Sequence, residues 1–269
     1  AGYELVQVPE SGSVDFHPNV SKGVFPIFHQ GNATYRDEPG WHANLVRNNN
    51  RLKAKFPDYF KGLSWIEAMG EPDFEALHRR MEEMDAWLHW EMFEQDVNRA
   101  KREELQGKTV IDIGANKGFF AVHALELGAK EVYCFEPVHS IYNQLLELTE
   151  GLRVQPFNLA ILDGSISEVH MHEEDLLSNI WGDAEEPTKC VSLVEALSYV
   201  KDQSNMVLKV DCEGSEFEIL FNAPANVIQQ FSTIYLEVHD EMNPNYQNRS
   251  PGLLRYLHGL GFSSEQGPQ

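Results

Sequence analysis

The chain has 269 residues, 42% of them hydrophobic, with 42 acidic against 21 basic side chains and a formal net charge of -21. That length allows an ordinary core, but so acidic a surface repels phosphate backbones and argues against a nucleic-acid substrate. A small molecule, a sugar or a lipid-linked acceptor fits better, and no run of about 18 apolar residues marks a membrane span.

Residues 1–106 read as an N-terminal extension. "ELVQV" at Glu4–Val8 is a candidate strand. Gly, Pro, Asn and aromatic residues then run through Trp41 and the "NNN" at 48–50, a texture of turns rather than regular structure. Phe16, Phe25, Phe28, Tyr35, Trp41, Phe56, Tyr59, Phe60 and Trp65 are spread through it. Aromatics at that density anchor a segment onto a core, so an ordered wrapping segment is expected, either covering an acceptor cleft or simply packing. Pro72–Gln106 is predicted to be one long amphipathic helix. Phe74, Leu77, Met81, Met84, Leu88 and Met92 recur at spacings of three and four, with Trp87 and Trp90 widening the stripe. Gly107 is a plausible stop.

From 107 to 269 strands and helices alternate. "TVIDI" is a strand and Gly118–Leu127 a helix; "EVYCFE" is a strand and Ser140–Leu148 a helix; "RVQPFN" is a third strand. "SEVHMHE" alternates as an exposed ribbon would, so His170 and His172 read as a solvated face rather than a metal pair. Val191–Val200 is predicted helical, "NMVLKVD" a buried strand, Glu216–Phe221 a helix, "TIYLEVHD" a strand and Leu253–Leu260 a final helix. "SNIWGD", with Trp181, reads as either a lid or an ordinary surface loop. The fold class expected is α/β: a Rossmann-like three-layer sandwich with a mostly parallel sheet covered on both faces. Cys134, Cys190 and Cys212 have neither a disulfide-framework nor a zinc spacing. Cys134 and Cys212 sit in strand-like runs and read as buried small hydrophobes in a reducing compartment. No signal peptide is apparent, and a cytoplasmic location is expected. The chain opens on Ala1, as a processed or excised chain would.

The turn after the first strand, Asp112-Ile113-Gly114-Ala115-Asn116-Lys117-Gly118, carries the first chemical signal. Gly114 and Gly118 let the backbone turn tightly and let a ligand approach, and the helix opening at Gly118 offers free N–H groups. Glu136, about two dozen residues beyond Asp112, ends the next strand, where a carboxylate accepts ribose hydroxyls. A dinucleotide fingerprint needs a glycine where Asn116 stands. Asp112 would also repel a pyrophosphate but pair with an ammonium. S-adenosylmethionine (SAM), with a ribose and an ammonium but no phosphate, fits better than a nicotinamide cofactor.

The second signal is "LKVDCEGSEFEIL" with "YLEVHD". Lys209, Asp211, Glu213 and Glu216, then Glu237, His239 and Asp240, sit at the ends of two strands that face the same crevice as Gly114. Charges there are costly unless they pair, as Lys209 with Glu237 could, or act. Carboxylates beside a histidine could bind an acceptor hydroxyl or remove its proton.

"VIDIGANKGFFAVHA", "VYCFEP", "NLAI", "LKVDCEGSEFEILF" and "IYLEVHD" occur in this order, and together they resemble the FkbM family of SAM-dependent methyltransferases over about residues 108–262. The resemblance implies a class I methyltransferase fold, seven strands with the last antiparallel, and O-methylation of a hydroxyl on a sugar, polyketide or other natural product. Only "FSSEQGPQ" follows Gly261, too short for a closing hairpin, so the N-terminal "YELVQV" is a guess at an edge strand. In this reading Asp112 meets the methionine ammonium, directly or through water. Gly114, Ala115 and Asn116 line the methionine portion, Gly118 opens the helix, Glu136 holds the ribose, and Pro137 with Asn158–Ala160 lies near the adenine. His239 is the first candidate base because its ordinary pKa is near neutrality; Asp211 is second, with Glu237 beside them. Asp211, Glu213 and Glu216 are an alternative Mg²⁺ set, not favoured because glycine turns do not ensure their convergence. Two rival readings stand: an NAD-dependent oxidoreductase and a non-catalytic SAM-fold binding module.

Overall fold

The computed structural model describes residues 72–170, 187–239 and 249–265. The candidate strand at Glu4–Val8, the aromatic segment up to residue 71, His172, the Trp181 loop and Asp240 lie outside them.

Five strands form one parallel sheet: β1 (Thr109–Ile113), β2 (Glu131–Phe135), β3 (Val154–Phe157), β7 (Met206–Val210) and β8 (Phe231–Leu236), in the order β3-β2-β1-β7-β8. Every residue of β1 and β7 is buried, as expected for central strands of a sheet covered on both faces. Alternation sends Val110, Val132, Cys134 and Val207 to one face. Ile111, Ile113, Tyr133, Phe135, Leu208 and Val210 go to the other. The expected α/β fold with a mostly parallel sheet is present. Among the described residues the large sheet has five strands, all parallel, and no antiparallel closing strand.

Three short strands form a second sheet in the order β4-β6-β5: β4 (Ala160–Leu162), β5 (Glu168–His170) and β6 (Pro187–Ser192), with β5 antiparallel to β6. Val191 and Ser192, expected to open a helix, belong to β6 instead. The helix starts at Leu193, where Ser192 caps it in a reciprocal box with Glu195.

The predicted helix over 72–106 is broken into pieces. α1 (Phe74–Met84) stops at Asp85, whose backbone is extended (φ -160°). The Asp85 side chain then accepts from Leu88 N and caps α2 (Ala86–His89). A π-helical turn (Trp90–Glu94) and α3 (Arg102–Leu105) follow. Met81, Met92 and Leu105 still bury against α4 (Phe119–Glu126), so the apolar periodicity marks the packed face correctly. Trp87 and Trp90 do not join it; they are exposed and stack on each other at 5.1 Å. The remaining helices are α5 (His139–Leu148), α6 (Leu193–Leu197), α7 (Glu216–Asn222), α8 (Ala225–Ile228) and α9 (Ser250–Gly259). Among the described residues no helix is long and apolar enough to cross a membrane.

Candidate active site

Register sets the site. Ile113 pairs with Phe135 and with Val210, and Val210 with Leu236. The residues that follow, Gly114, Glu136, Asp211 and Glu237, therefore leave the sheet side by side at its carboxyl edge. Their amides extend the ladder: Gly114 N to Phe135 O, Asp211 N to Ile113 O, and Glu237 N to Val210 O.

Gly114 has φ 72°, and a Cβ there would lie 1.7 Å from the Asp211 carbonyl oxygen. Only glycine lets the β1 and β7 turns approach so closely. Asn116 also takes a left-handed conformation (φ 49°), which Asn tolerates. Its amide donates to Glu136 Oε2 at 2.9 Å, and Val138 N donates to Glu136 Oε1 at 2.8 Å. Burial pushes Glu136 up to about 7, although both amides favour its ionised form. Asn158 supports this turn from behind, donating to the carbonyls of Glu136 and Pro137.

A cavity of about 450 Å³ opens over this edge, in the size class of small-molecule sites. Gly114, Asn116, Glu136, Pro137 and Ala160 line it, together with Asp211 and Glu213. The structure thus brings five of the expected cofactor residues to one cavity. Ala115, Gly118 and Asn158 shape its walls without lining it. Gly118 (φ 88°) lets α4 pass Leu145, whose Cδ1 would lie 2.5 Å from an added Cβ.

Asp112 departs from expectation. It is 0% exposed and absent from the cavity wall. Its Oδ1 lies 3.4 Å from Lys209 Nζ and its Oδ2 accepts from Cys134 Sγ at 3.9 Å. Lys209, itself 4% exposed, donates to Gly114 O at 2.8 Å and pairs with Asp211 Oδ2 at 3.2 Å. Its structural partners are therefore Asp112 and Asp211, not Glu237. Burial raises Asp112 to about 6 against the pull of Lys209. Burial alone would lower Lys209, yet Asp211 and Asp112 hold its ammonium above the usual range.

His239 sits among four carboxylates. Its Nδ1 is 2.8 Å from Glu216 Oε1; its Nε2 is 3.7 Å from Glu213 Oε2, 3.7 Å from Glu237 Oε1 and 4.0 Å from Asp211 Oδ1. Glu216 is fully buried and also accepts from the amides of Cys212 and Gly214, pinning the turn after β7. Glu213 in that turn has φ 52°, a strained position for such a side chain. Burial would lower His239, but the bond to Glu216 and the charge of Glu213 outweigh it and push the imidazole up to about 9. The imidazole expected to act as a near-neutral base is thus held above its ordinary range. Burial also raises Glu213, to about 7, and Glu237. The convergence of donor atoms also bears on the alternative Mg²⁺ set. The residues whose donor atoms gather within 4.8 Å of one another are Asp211, Glu237 and His239, not Asp211, Glu213 and Glu216.

Sequence reasoning missed Asp85, Trp87 and Lys117, all at the cavity. Lys117 Nζ meets Asp85 Oδ2 at 2.6 Å and ties α2 to the glycine turn. Lys117 stands inside the glycine motif and could have been singled out; nothing in the helical periodicity marks Asp85.

Comparison with known proteins matches residues 112–264, more than half of the chain, to the methyltransferase FkbM domain. No curated protein matches at a significant level. Among solved structures, one from Listeria monocytogenes, described as an S-adenosylmethionine dependent methyltransferase, is 12% identical, with a TM-score of 0.25 over 47% of this chain and 42% of that one. The ribosomal protein L11 methylase from Lactobacillus delbrueckii subsp. bulgaricus is 13% identical, with a TM-score of 0.27 over 62% of this chain and 68% of that one. The chain spans less than half the length of the Listeria protein.

Proposed function

The chain belongs to the FkbM family of SAM-dependent methyltransferases, and from that premise we propose that it methylates a hydroxyl of a small molecule, a sugar or another natural product. The observation that carries this reading is one cavity lined by Glu136 together with Asp211 and Glu213.

The residues present fit SAM. Glu136 offers its remaining lone pairs to a ribose diol. Lys117 is the one cationic side chain among the described lining residues, and it is paired with Asp85. A pyrophosphate would meet no free cation there. When bound, SAM supplies a methyl group already made electrophilic by its sulfonium. The protein's tasks are to orient an acceptor hydroxyl, exclude water and take up a proton. We assign the acceptor pole to Asp211, Glu237 and His239. Asp211, which lines the cavity, takes over from His239 as first proton acceptor, while His239 holds the surrounding carboxylates in place. From the described part of residues 1–106, Asp85 and Trp87 contribute to the cavity wall.

Asp211→Asn is expected to lower turnover by about 100-fold while changing SAM affinity little, with His239→Ala showing a smaller loss. Full methyl transfer to a hydroxyl acceptor in both variants would sink the assignment. A second expectation concerns pH. Glu136 is raised to about 7, so its acceptor form is lost as pH falls through that value. SAM affinity should weaken about tenfold from pH 8 to pH 6, and Glu136→Gln should flatten the profile. An unchanged pH profile in that variant would remove Glu136 from the binding step.

A further inference from the structure

We propose that Asp211, Glu237 and His239 form a binding site for one divalent cation of the Mg²⁺/Mn²⁺ class. Each residue offers one donor atom, and the three donors lie within 4.8 Å of one another. The imidazole is oriented for this task. Glu216 Oε1 occupies Nδ1 at 2.8 Å, so Nε2 is the nitrogen turned toward Asp211 and Glu237. A carboxylate that fixes one ring nitrogen while the other binds metal is the usual second layer of a metal site.

Among the described residues, Nε2 has no hydrogen-bond partner. Its three carboxylate neighbours stand at 3.7, 3.7 and 4.0 Å, beyond hydrogen-bond reach. Donors around a common ion of this class stand roughly 3 Å apart, so a contraction of at most about 2 Å per pair would close the site. Glu237, 56% exposed at its side chain, is free to make that movement.

A second, separate observation points the same way. The Glu216 carboxylate stands behind the imidazole at Nδ1, is 0% exposed, and leaves Oε2 without a hydrogen-bond partner among the described residues. Glu213 Oε2, 3.7 Å from Nε2, is also buried and accepts no hydrogen bond among the described residues. Buried carboxylate oxygens of this kind are costly without a compensating charge. Lys209 is engaged by Asp112, Asp211 and Gly114 O, so that charge comes from a proton on His239 or from a cation that displaces the Nε2 proton to solvent and takes its place. Two carboxylates and one imidazole, with no thiolate, select a hard or borderline cation over a soft one.

The existence of the site is independent of the proposed methyl transfer; only its role rests on that reading. Beside Asp211 on the cavity wall, the ion would bind the acceptor oxygen and lower its proton affinity. The test is titration of the full chain with Mn²⁺ alone, without SAM, followed by electron paramagnetic resonance, with Mg²⁺ as competitor. One site per chain is expected, displaced by Mg²⁺. Asp211→Asn and Glu237→Gln should each weaken it at least tenfold, and Glu216→Gln about tenfold through the imidazole. Glu237 is exposed, so Glu237→Gln tests the site without threatening the fold. Absence of Mn²⁺ binding in the unaltered protein, or undiminished binding in folded Asp211→Asn and Glu237→Gln, overturns the proposal. Mn²⁺ binding without SAM binding would remove the methyl-transfer reading and leave the site; SAM binding without Mn²⁺ would do the reverse.

Discussion

Glu136→Ala is expected to weaken SAM binding by about 10- to 100-fold, the worth of hydrogen bonds from a ribose diol to a charged acceptor. The carboxylate lines the cavity, and its two oxygens already hold the amides of Asn116 and Val138. Truncation therefore removes both the ribose acceptor and the brace of the glycine turn. Glu136→Gln separates the two effects: its amide oxygen can keep one backbone bond but not the charge. Calorimetry on both variants checks this. Wild-type affinity in Glu136→Ala would show that the nucleoside lies elsewhere.

Lys209→Met is expected to destabilise the fold by about 3–5 kcal/mol, the cost of leaving a buried charge without its partner. Lys209 joins Asp112, Asp211 and the Gly114 carbonyl beneath the cavity. Removing it strands Asp112, which is fully buried. The sign of the pH dependence follows. Asp112 is already raised to about 6 in the folded protein, and loss of Lys209 raises it further. A raised folded pKa contributes stability that is present at low pH and lost as pH rises through it. The variant should therefore be weakest at pH 8 and recover toward pH 5. Adding Asp112→Asn should restore much of the loss at pH 8. Denaturant unfolding at the two pH values measures it, and equal stability of Lys209→Met and the unaltered protein at pH 8 would contradict the account.

How far the fold was readable depended on the element. β1, β2, β7 and β8 stand out because central parallel strands are continuous apolar runs, and Gly114 and Gly118 stand out because their backbones need left-handed conformations. β6 did not, since "PTKCVS" opens on proline and mixes lysine with buried Thr188 and Cys190. The break at Asp85 is invisible to periodicity because the apolar spacing continues through it from Met81 to Met92. For the site, position along a strand brought Glu136 and Asp211 to the cavity wall but not Asp112. The end of a strand shows which edge a residue occupies, whereas pairing with Lys209 and Cys134 decides where the side chain goes. The high proton affinity of His239 was likewise hidden. It arises from Glu213 and Glu216, brought together by a turn with positive φ at Glu213 and Gly214.

The central claim, that the cavity over Gly114 and Glu136 holds SAM, is tested most directly by calorimetric titration of the full chain with SAM and, in parallel, NAD. The account predicts one micromolar site for SAM, weakened in Glu136→Ala, and no heat from NAD. Binding of NAD without SAM, or of neither, would contradict it.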